Sequence, residues 1–157
     1  MIDAALIGAR NDVSCRNVVR ETVTSCIRRD VEETLNEDNP VLVHKRGFGT
    51  GETNGLLIPV AESLDVEGRL PDGSPVLRTY LRGFFVYGDG RPFAKPGDSG
   101  AIVVDDDDCV VGMIVALRAA DSAHATGSDP AFVVPIGDLV EYLGVDLLGP
   151  ARRCTIV

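Results

Sequence analysis

Ser99 stands between glycines in Gly97-Asp98-Ser99-Gly100, behind a Lys95-Pro96 turn and ahead of the apolar run 101–104. A serine held this way can bring its hydroxyl and two backbone N–H groups to one point. Acyl transfer needs that convergence, because a nucleophile must sit beside donors that stabilise an oxyanion. Taken alone, Asp98 reads as a turn aspartate bonding its own backbone. The flanks point to a β-hairpin, with a strand over 101–104, a turn over 105–108 and a return strand over 109–117.

Other residue groupings carry less chemistry. The four carboxylates of 105–108 lack the central glycine and terminal glutamate of a calcium loop, so they read as a solvated hairpin tip. The glycines between 47 and 55 precede no G-K-[ST] and sit in no βαβ unit, which makes a tight β-turn the better reading than a phosphate cradle. Cys15, Cys26, Cys109 and Cys154 are scattered, without zinc spacing and too sparse for a disulfide scaffold. Cys109 reads as a small buried apolar residue. Cys154-Thr155-Ile156-Val157 has the outline of a prenylation box, but Val is not a usual last residue, so a plain apolar tail is expected. No metal or organic cofactor is called for.

The elements that must position Ser99 are strands. The 157 residues are 45% hydrophobic, enough for one domain with a core, and only 5% aromatic, with no Trp. A net charge of −9 argues against a phosphate-neutralising, nucleic-acid-binding surface. No stretch is apolar for long enough to span a membrane. The first residues lack a basic n-region and an apolar h-region, so the chain as given looks cytoplasmic.

Residues 3–8 read as a short buried strand and 14–37 as a connector. Within the connector, Ile27, Val31 and Leu35 recur at helical spacing and predict a short amphipathic helix. Strand-like runs follow at 41–45 and 55–61, joined through the turn 47–51. Turn residues fill 62–75, with a short strand around Val66, and 76–87 is rich in strand formers. A loop of small and polar residues over 118–129 leads to a strand at 131–135. Ile136, Leu139, Val140 and Leu143 then predict a terminal helix stopped by Gly144. Six or seven strands plus one helix is the content of a single small antiparallel barrel.

In this order the motifs resemble the C-terminal half of a trypsin-like, chymotrypsin-fold serine peptidase. The resemblance covers roughly 41 to 145. Residues 45–55 are similar to the K-x-G-x-x-T-G-x-T-x-G stretch that opens the second barrel in divergent members. Gly97-Asp98-Ser99-Gly100 matches the nucleophile motif, 110–115 the strand that walls the substrate cleft, and 132–143 the closing strand and helix. The fold class expected is all-β, a single six-stranded antiparallel barrel of chymotrypsin-like type with a C-terminal α-helix. Residues 1–40 would be a remnant strand and connector, 41–149 the barrel with its helix, and 150–157 a tail.

The resemblance also implies roles. Ser99 would be the nucleophile, the Gly97 and Ser99 amides the oxyanion hole, and Asp98 the buried carboxylate ordering the loop. Asp3, in Asp3-Ala4-Ala5-Leu6-Ile7, is similar to the triad aspartate that orients a histidine. Phe93 would lie near the base of the primary specificity pocket, where it would disfavour a basic side chain. A peptide or protein substrate would add as a strand along Ile114, Val115, Ala116 and Leu117.

The pattern fails at the general base. The family's histidine precedes the triad aspartate, yet only Met1 and Ile2 precede Asp3. His44, on the strand entering the barrel, and His124, in the small-residue loop, do not match its position, and an exposed loop histidine is the ordinary reading of His124. A triad without its base loses on the order of 10⁶ in turnover. Two readings stay open. The chain is a truncated serine endopeptidase whose histidine-bearing N-terminal barrel is missing, or it is a non-catalytic pseudoprotease that binds peptides.

Overall fold

Along Val41–Gly47 the side chains alternate between two environments, with Val43 and Lys45 turned inward and Leu42 and Arg46 outward. This period of two is what a strand with one face on a core requires. The computed structural model describes residues 18–19, 22–23, 26–29, 31, 35, 40–59, 63–70, 72–80, 82–118 and 129–144. Within them, Val41–Gly47 is strand β3. It follows a short β1–β2 pair, Val18–Val19 with Thr22–Val23.

Six strands close a barrel: β3, β4 (Gly51–Pro59), β7 (Phe84–Gly88), β8 (Ile102–Asp105), β9 (Val110–Leu117) and β10 (Ala131–Pro135). Their order is β10-β7-β4-β3-β8-β9, and antiparallel pairing of β9 with β10 completes the ring. Registers shift between Val103 and Val104 and between Phe132 and Val133. Such irregularities bend strands sharply enough for a small ring to close. The closed antiparallel barrel with a helix at its C-terminal end has a chymotrypsin-like shape.

Inside the ring, Val43, Leu57, Phe84, Val86, Phe93, Val103, Ile114 and Val133 form the core, joined by Val31 and Leu35. A second layer lies outside the ring around Phe85, Phe132, Val134, Leu139 and Val140. Helix α1 (Ile136–Leu143) seals this outer layer with Ile136, Leu139 and Val140, and ends at Gly144 in the left-handed conformation (φ 63°). Between β4 and β7 the chain makes an extra hairpin, β5 (Leu64–Arg69) with β6 (Pro75–Tyr80), that packs Leu64, Val66 and Tyr80 onto the same layer.

Three local expectations change. The turn read at 47–51 is narrower, because β3 runs to Gly47 and pairs with Gly51, leaving residues 48–50 as the loop. The short strand expected around Val66 is β5. Of the predicted amphipathic helix, the Leu35 N–H does donate to the Val31 carbonyl (2.9 Å) and both side chains are buried, but Ile27 is bridged in parallel to Val110. Beside that bridge, Cys109 is not a free apolar residue. It forms a disulfide with Cys26, from which it is separated by 83 positions. Spacing along the chain does not reveal this pair, because the barrel alone brings Cys26 alongside β9.

Candidate functional site

The loop bearing Ser99 leaves the core at Phe93 and Ala94 and returns to it at β8. Three backbone bonds shape it: Asp98 N–H to the Lys95 carbonyl (3.0 Å), Ala101 N–H to the Asp98 carbonyl (3.0 Å) and Gly100 N–H to the Ile114 carbonyl (2.8 Å). Gly97 has φ 102°, a conformation that a side chain makes costly. That reversal drives Asp98 into the protein and leaves Gly97 and Ser99 exposed on either side of it. The N–H groups of Gly97 and Ser99 meet no hydrogen-bond acceptor among the described residues. An exposed hydroxyl and two available donors therefore share one stretch of three residues.

The Asp98 carboxylate is fully buried and accepts five hydrogen bonds. Oδ1 takes the N–H of Gly49 (2.6 Å) and of Thr50 (3.2 Å). Oδ2 takes the Lys45 ammonium (3.0 Å), the Thr50 hydroxyl (2.8 Å) and the Lys95 N–H (3.0 Å). Burial pushes the Asp98 carboxyl toward a higher pKa. The Thr50 hydroxyl, the Lys95 N–H, the Lys45 ammonium and the Gly49 N–H together outweigh it and hold the group at about 2.

Lys45 is the other half of this arrangement. Its side chain is 0% exposed, within the barrel. The ammonium has three protons and three partners: Asp98 Oδ2, the Thr50 hydroxyl and the Gly51 carbonyl (3.3 Å). The Phe93 ring lies 5.9 Å from Nζ. Gly47 permits the approach, since a Cβ there would lie 2.3 Å from Asp98 Oδ1 and 3.0 Å from Lys45 Nζ. These glycines had read as turn formers, but Gly47 makes room for an ion pair and Gly49 supplies a donor. A signal for Lys45 was present in the alternation, which sets it on the same face as Val41 and Val43.

The other candidates fall in different places. Phe93 is fully buried in the core, and its carbonyl accepts the Thr53 hydroxyl (2.7 Å). Ile114 is committed on the loop side of β9, its N–H to the Ala101 carbonyl (3.0 Å) and its carbonyl to Gly100. An added strand therefore has no place at Ile114. Beyond it, among the described residues, Ala116 and Leu117 pair only with β10 and Val115 falls at the register shift, so no described strand covers this edge of β9. Arg118 N–H bonds the Pro130 carbonyl (3.0 Å), which by alternation turns the Leu117 N–H and carbonyl toward the open edge.

Phe48, at the β3–β4 turn, is 98% exposed and borders Gly97. His44 is buried on the outer side of β3, with Nε2 3.6 Å from Asp108 Oδ1 in the β8–β9 turn. It therefore lies at the end of β8 opposite to Ser99. Asp3 and His124 lie outside the described residues.

No protein-family model matches the chain, and no curated protein matches it.

Proposed function

We propose that this chain is a serine endopeptidase domain of trypsin-like type. In this reading the Ser99 hydroxyl attacks a peptide carbonyl, and the oxygen of the tetrahedral adduct is held by the Gly97 and Ser99 N–H groups. The substrate backbone lies as an added strand on the open edge of β9 at Val115, Ala116 and Leu117. The exposed Phe48 ring gives the loop an apolar rim. One observation carries the reading: an exposed serine beside two uncommitted N–H groups, on a loop locked from below by a buried carboxylate.

A base must take the proton from Ser99. His44 lies toward the wrong end of β8 for that task. Proton transfer then falls to a histidine other than His44, which the resemblance has Asp3 orient, and without that base turnover is slow. The test is a fluorophosphonate probe on the natively folded chain with imidazole supplied as the base, followed by peptide mapping. The expected result is an adduct on Ser99 that Ser99→Ala abolishes.

A second reading, a non-catalytic module that captures extended peptides, is favoured by the open β9 edge together with the displaced His44. Its mark is a folded chain that takes no label at Ser99 yet binds peptide equally well as Ser99→Ala. That outcome would overturn the catalytic reading.

A further inference from the structure

An ammonium with no exposed surface needs an explanation. Taking a charge out of water is costly even after relaxation, and a buried ion pair is weak evidence of stabilisation by itself. An apolar residue at position 45 would continue the face made by Val41 and Val43. What the lysine adds is direction. Its three protons reach the β3–β4 turn twice, at Thr50 and Gly51, and the Ser99 loop once, at Asp98. Thr50 then closes the circuit by donating to the same carboxylate oxygen. Asp98, in turn, lies between Gly97 and Ser99, so its position sets the direction of both amides.

We propose that Lys45 is the positioning residue of the Ser99 loop: its ammonium, sealed in the barrel, fixes the Asp98 carboxylate and through it aims the Gly97 and Ser99 N–H groups. Among the described residues, every group bonded to the Asp98 carboxylate comes from 45–50 or from Lys95. The charged groups facing the carboxylate are, among the described residues, few. Lys45 comes from β3, the uncharged Thr50 and Gly49 from the turn, and Lys95 contributes through its backbone. The inference rests on the acyl-transfer reading of Ser99, but the positioning itself is measurable without any reaction.

The experiment compares the ¹⁵N-labelled chain with Lys45→Met, Asp98→Asn and the double variant, reading the Gly97 and Ser99 amide resonances and the fluorophosphonate labelling rate. Lys45→Met is expected to shift or broaden both resonances and to slow labelling at least tenfold. Asp98→Asn should do the same, and the double variant should be no worse than the worse single one, because the two residues act as a unit. In the unsubstituted chain both amides should follow the titration of Asp98 near pH 2, with the midpoint moved upward in Lys45→Met.

If Lys45→Met does not fold, Thr50→Val, which removes only the bridging hydroxyl, should still displace the two resonances. A folded Lys45→Met or Thr50→Val chain with both resonances at their native positions would overturn the proposal. Absence of labelling in the unsubstituted chain even with imidazole supplied as base, with the resonances responding as expected, would instead defeat the acyl-transfer reading and leave the positioning role standing.

Discussion

At the scale of single residues, the Asp98 carboxylate is the group whose ionisation matters most. Its folded pKa of about 2 lies below the ordinary aspartate value of 3.8. The folded state therefore binds the proton more weakly than the unfolded chain does. The sign follows from linkage: Asp98 contributes its full stabilisation above about pH 4, loses it as the pH falls toward 2, and contributes none once both states are protonated. The expected loss is roughly 2 kcal/mol, read as a falling urea midpoint between pH 4.5 and pH 2 that Asp98→Asn flattens. Much of this was out of reach from sequence. Asp98 and Ser99 were legible because glycines and a turn frame them. Lys45, by contrast, looks like any surface lysine until the alternation of β3 is taken at face value, and its pairing spans 53 positions.

At the scale of elements, β9 is asymmetric. Its pairing with β10 runs from Gly112 to Leu117, whereas β8 and the Ser99 loop hold it only as far as Ile114. Leu117→Pro removes an N–H on the open edge, where proline is tolerated. The chain is expected to keep its melting temperature within a few degrees and to bind extended peptide at least tenfold more weakly, as measured by calorimetry. Strand locations were readable from alternation and turn residues, and β10 was bounded from its flanks alone. The turn within 47–51 and the short strand around Val66 were legible, but not what else these residues do. In this fold they mark a close approach to a carboxylate and a solvent-facing hairpin whose inner positions Leu64 and Val66 remain half-buried.

At the scale of the whole molecule, the Cys26–Cys109 bridge ties the segment before β3 to the barrel. Arg28 reinforces the joint through Asp105 (3.0 Å), whose other oxygen accepts the N–H groups of Asp107 and Cys109. Closing so long a loop restricts the unfolded chain, and removing the bridge is expected to cost about 2–4 kcal/mol. Cys26→Ser, or reduction under native conditions, should lower the guanidinium midpoint accordingly. A thiol titration of the folded, oxidised chain should miss Cys26 and Cys109, which appear after denaturation and reduction. Four cysteines allow three complete pairings, so nothing short of the fold could single out this one.

The distance along the chain between Lys45 and Asp98 also sets a timetable. Contacts between remote positions form late, after the local hairpins have bought down the entropy of joining them. A newly made or partly folded copy thus presents Ser99 on a slack tether, and whatever reactivity the serine possesses is withheld until the ring has shut.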